Sequence, residues 1–99
     1  MANFSVDPTI LNQKAANLNE HADEYNSISA KLQSAATTMG AAYDSADNRS
    51  FVARMEACAK ELKAMADKLR AAAATLSSQA TIYTEQENSN TQKANQLPG

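Results

Sequence analysis

Large side chains recur at intervals of seven in two separate runs, and this spacing restricts the possible folds more than any other feature. The first run is Leu11, Leu18, Tyr25, Leu32 and Met39; the second is Met55, Leu62, Leu69, Leu76 and Tyr83. Four residues beyond most of these positions stands a small residue: Ala15, Ala22, Ser29 and Ala36, then Ala59, Ala66, Ala73 and Ala80. Alternating steps of four and three keep a stripe on one side of an α-helix that packs along a narrow seam. Doubling the chain back pairs the runs in layers: Met39 with Met55, Leu32 with Leu62, Tyr25 with Leu69, Leu18 with Leu76, and Leu11 with Tyr83. The expected fold is all-α, an antiparallel two-helix hairpin.

Helix-breaking residues are scarce. Only two glycines and two prolines occur, so neither strands nor tight hairpin turns find the residues they need. Asp7 is suited to cap a helix that Pro8 begins, because proline's missing N–H costs nothing at the first helical position. Gly40 reads as the C-terminal cap. These signals give a single domain with helix one at about 7–40, a turn at about 41–46 and helix two at about 47–87, capped by Ser45 or Asp47. Residues 88–99 are polar apart from Leu97, Ala94 and the closing Pro98-Gly99, and read as a flexible tail.

The flanks of the two runs predict the surface. Asn12, Asn19, Asn26 and Gln33, with Glu56, Lys63, Arg70 and Ser77, each follow a run residue by one and are expected to face water. The small tracks are expected to share one face of the hairpin. The other face holds Ile28, Ala35, Cys58, Met65 and Ala72, with Lys14, His21 and Gln79, and is the expected partner-packing surface. A single seam is a small core for helices of this length, so a second hairpin is expected to complete a four-helix bundle.

The composition excludes several functions. A formal net charge of −2 with no basic block argues against a nucleic-acid surface. No apolar run approaches the ~20 residues that span a bilayer, and the narrow stripe lacks the basic face of a surface-bound membrane helix. Residues 1–6 lack the charged and apolar regions of a secretory signal peptide. One histidine, His21, and one cysteine, Cys58, cannot close a metal site. No Gly-rich phosphate loop occurs. Neither an enzyme nor a bound cofactor is expected. The single thiol reads as a small apolar side chain, or as a cross-link to a partner across a helix interface.

Two short segments remain. Tyr43-Asp44-Ser45 lies in the turn with Phe51 eight residues after Tyr43, and its aromatics are expected to cap the open end of a bundle. Tyr83 and Glu87 stand four apart at the end of helix two, an aromatic and an acid on one helical face.

With these segments in place, the chain resembles the WXG-type, ESAT-like small proteins of type VII secretion over its whole length. The resemblance rests on two long amphipathic helices, a central turn, no signal peptide and a polar tail. Tyr83 and Glu87 match the family's Tyr-x-x-x-acid secretion signal. Tyr43, Asp44 and Ser45 occupy the Trp-x-Gly position, with Phe51 as the following aromatic; a second register puts Thr38-Met39-Gly40 there. The missing tripeptide points to a divergent branch that partners larger LXG-type toxins. The resemblance implies a non-enzymatic protein, exported folded without a cleavable signal from a cytoplasmic pool. Its implied partners are a second copy, a paralogue or the N-terminal helical domain of an LXG-type toxin, together with the secretion ATPase. The competing expectation is a cytosolic structural adaptor with no export role.

Overall fold

A computed structural model describes residues 7–96. They form two helices, α1 (Pro8–Ala42) and α2 (Ala46–Gln96), packed against each other as an antiparallel hairpin. The molecule measures 84 × 24 × 13 Å. Since one helix with its side chains is roughly 10–12 Å across, the smallest dimension is a single helix layer, and neither broad face is covered.

Local chemistry sets the helix ends. The Asp7 carboxylate accepts from the Thr9 backbone N–H at 2.9 Å, with Pro8 in the first turn. Gly40 lies within α1, which runs two residues further than expected. The last turn ends instead at Tyr43, in an extended conformation, and a side chain takes over the capping. Asn48 Nδ2 donates to the carbonyls of Met39 at 2.9 Å and Tyr43 at 2.8 Å, closing the turn from the α2 side. The Ser45 hydroxyl accepts from the Asn48 N–H at 3.1 Å and caps α2. An Arg49–Asp44 ion pair spans the same corner.

The core differs from the expected one. The side chains at the centre of the seam are the small ones: Ala15, Ala22, Ala36, Ala59, Ala66, Ala73 and Ala80 are exposed by 0 to 3%. The large runs are half-buried on the flank, except Tyr83, which is exposed. Helix axes approach as closely as the residues between them allow, and a track of alanines lets these two backbones come near. Ser29 shows how near, because its hydroxyl donates across the seam to the Ala59 carbonyl at 2.6 Å.

The positions expected to face water are exposed, except Asn26, which is half-buried. Asn26, Gln33 and Lys63 line a shallow groove with Ser29 on the second rim of the seam. Arg70 reaches across that rim to Asp23 in an ion pair. The hairpin is therefore a two-sided slab, with the large run residues on one face and amides and charges on the other.

α2 continues helical through Gln96, nine residues past Glu87, where a flexible tail was expected. The segment contains no glycine or proline to stop the helix, and Gln92, Lys93, Ala94 and Gln96 favour it, while the Asn, Ser and Thr residues between them favour it only weakly. Leu97 and the signal-peptide reading of residues 1–6 lie outside the described residues.

Candidate functional site

Tyr83 ends the second run where helix–helix contact runs out. Leu11 and Tyr83 line one groove together with Gln79, Ile82 and Gln86, so the outermost of the expected layers is present. Tyr83 is nonetheless 40% exposed. With α1 starting at Pro8, the residues of α2 beyond about Gln86 have no described neighbour on α1. They project roughly 15 Å at 1.5 Å per residue. Because the helix is unbroken here, Tyr83 and Glu87 stand on successive turns of one side, with Glu87 exposed at the base of the projection. Thr84 and Thr91 turn their hydroxyls back to the carbonyls of Ala80 and Glu87. The result is an accessible pair, an aromatic face beside a carboxylate.

The turn end behaves differently. Within one hairpin Tyr43 is 68% and Phe51 52% exposed, so neither aromatic is packed against its own chain. Asp44 and Ser45 are occupied in shaping the corner. Asn48 was not anticipated, and it ties the turn more directly than any residue that was. The only sequence hint was an amide two to four residues after the turn, a position Asn often fills for ordinary capping.

On the expected partner face, Ile28 is 46% and Met65 48% exposed. Cys58 and Ala72 are exposed and Ala35 is half-buried. His21 Nδ1 lies 3.6 Å from the Glu24 carboxylate on the border of this face. Among the described residues, no group of three His, Cys, Asp or Glu side chains could hold a metal ion, and no helix is long and apolar enough to cross a membrane.

Residues 3–88 match the family model described as WXG100, proteins of 100 residues with WXG. The chain belongs to the WXG100 family. Membership makes it a small helical protein associated with type VII secretion, and it accounts for the long hairpin with a short turn. The match ends at residue 88, so it includes Tyr83 and Glu87 and stops as the projecting part of α2 begins. No curated protein and no solved structure matches the chain.

Proposed function

We propose that this WXG100 protein is a non-enzymatic substrate or targeting partner of a type VII secretion system, exported as a folded helical pair. Its Tyr83–Glu87 end is the part the secretion ATPase engages. The observation that carries this reading is the placement of the two residues one helical turn apart, exposed, where the hairpin's packing stops. A binding partner can grip that end without disturbing the seam. The overhang beyond it extends past the described start of α1.

The pair partner is a second copy, a paralogue or the N-terminal helices of an LXG-type toxin. An uncovered slab one helix thick supports the need for one. The absent Trp-x-Gly tripeptide fits the divergent, toxin-partnering branch, with Tyr43 and Phe51 serving the turn end against the partner. The protein passes from a cytoplasmic pool to the outside without a cleavable signal.

Export is measured with Tyr83→Ala and Glu87→Ala variants whose circular dichroism matches the parent. Both are expected to accumulate in cells and fall at least about ten-fold in the medium, as loss of a recognition contact of ~1.4 kcal/mol would give. Undiminished export of both would refute the signal assignment.

A further inference from the structure

We infer that the groove at the open end of the hairpin is filled by the chain's own residues 1–6, with Val6 on Leu11 and Phe4 on Ile82 and Tyr83. The segment covers one side of the Tyr83 ring and so competes with any partner that grips it. The competition rests on the export reading above; the packing does not.

The groove is apolar and open. Leu11, Ile82 and Tyr83 line it with Gln79 and Gln86, around a space of about 420 Å³. That lies within the ~300–1,000 Å³ of pockets that hold a compact ligand. Ile82 and Tyr83 are both exposed, and Ile10 is exposed beside Leu11 in the first turn of α1. Three large apolar side chains therefore stay wet at one end of the molecule unless something covers them.

Residues 1–6 lie outside the described residues, and the described start of α1 fixes where they come from. Asp7 is the cap, in an extended conformation (φ −89°, ψ 114°), and its carbonyl accepts from the Leu11 N–H at 3.1 Å. Val6 is then the residue before the cap and Leu11 the fourth of the helix. Those two positions pack together in a hydrophobic staple. Leu11 is also a wall of the groove, so a stapled chain enters α1 across it.

The pattern upstream suits the same path. Ala2, Phe4 and Val6 alternate with Asn3, Ser5 and Asp7, and an extended chain sends every second side chain to one side. Phe4 then faces the groove with Val6, while Asn3 and Ser5 face water. Phe4 stands three residues before Asp7, a reach of up to ~10 Å, and Tyr83 to Gln86 measures about 4.5 Å along α2. The ring therefore reaches the α2 wall. A segment joined to the rim of its own groove has an effective concentration of order millimolar, an advantage that a separate molecule lacks.

The test is nuclear magnetic resonance of the full chain with phenylalanine rings and isoleucine methyls labelled. The chain has two phenylalanines, Phe4 and Phe51, and three isoleucines, Ile10, Ile28 and Ile82, and Phe51 belongs to the turn end. Nuclear Overhauser cross-peaks are expected from the Phe4 ring to the Ile82 methyls, and the Ile82 methyl shifts are expected to move in Phe4→Ser/Val6→Ser. Absence of a Phe4–Ile82 cross-peak would overturn the inference. So would a cross-peak seen only between differently labelled chains in a mixed sample, which would put the segment on a second copy. Export of Phe4→Ser/Val6→Ser with unchanged helicity is expected to rise at least about three-fold, as removal of a competing closed state allows; unchanged or reduced export would overturn the competition. Normal export of Tyr83→Ala would instead refute the signal reading, and the cross-peak then decides the packing alone.

Discussion

Ala66 has no exposed surface, and at such positions adding volume is worse than removing it. A leucine there must force the two backbones apart along a seam held at close approach. Ala66→Leu is therefore expected to cost about 1–3 kcal/mol or more. Leu62→Ala, on the half-buried flank, is expected to cost less than the 2–5 kcal/mol typical of a fully buried leucine. Thermal denaturation checks the order, and a lower midpoint for Leu62→Ala than for Ala66→Leu would contradict the alanine-centred seam. Asn48→Ala removes two hydrogen bonds that hold the turn and should lower stability by ~1–2 kcal/mol. That loss, read by urea denaturation, should leave helix content unchanged. Tracks of large and small residues both repeat every seven, so period alone could not say which lies at the centre. The size of the small residues decided it, through a helix separation that sequence spacing does not contain. Asn48 was equally hidden, since its two acceptors are Met39 in the last turn of α1, nine positions back, and Tyr43 just past it, five back.

α2 is long because nothing stops it. Apolar periodicity ends at Tyr83, and reading order from that periodicity put the helix end near Glu87; hydrogen bonding and helix-favouring side chains carry it to Gln96. Residues 88–96, about 2.5 turns at 3.6 residues per turn, have no packed neighbour among the described residues, and propensity alone is marginal support in water. Backbone amides of residues 88–96 are expected to exchange with solvent about 100-fold faster than those around Ala22 and Ala66, as fraying segments do relative to a core. Hydrogen-exchange mass spectrometry resolves the two. The same contrast holds for helix breaking: Gln92→Pro should leave the thermal midpoint within a few degrees of the parent, while Ala66→Pro should cost about 3 kcal/mol or more. The hairpin itself, its antiparallel sense and its short turn were legible because long strongly periodic segments with one break allow little else.

At the scale of the whole molecule, an 84 Å slab one helix thick has one face of amides and charges and one of half-buried large side chains. The family match over residues 3–88 places this slab among the small helical proteins of type VII secretion. The proposed division of labour follows from the layout: the seam holds the hairpin, the apolar face takes the partner, and the Tyr83–Glu87 end addresses the export machinery. Much of the candidate site was visible beforehand as residue types at a spacing. Its exposure, and the helix that follows it with no neighbour among the described residues, were not, because both depend on where α1 begins relative to α2.

The most direct test of the central claim follows the unmodified protein in its own cells with and without the type VII secretion ATPase. The protein is expected in the medium when the ATPase is present and only in the cell fraction when the ATPase gene is deleted. Equal amounts in the medium of both strains, with a cytosolic marker absent, would contradict export by this route.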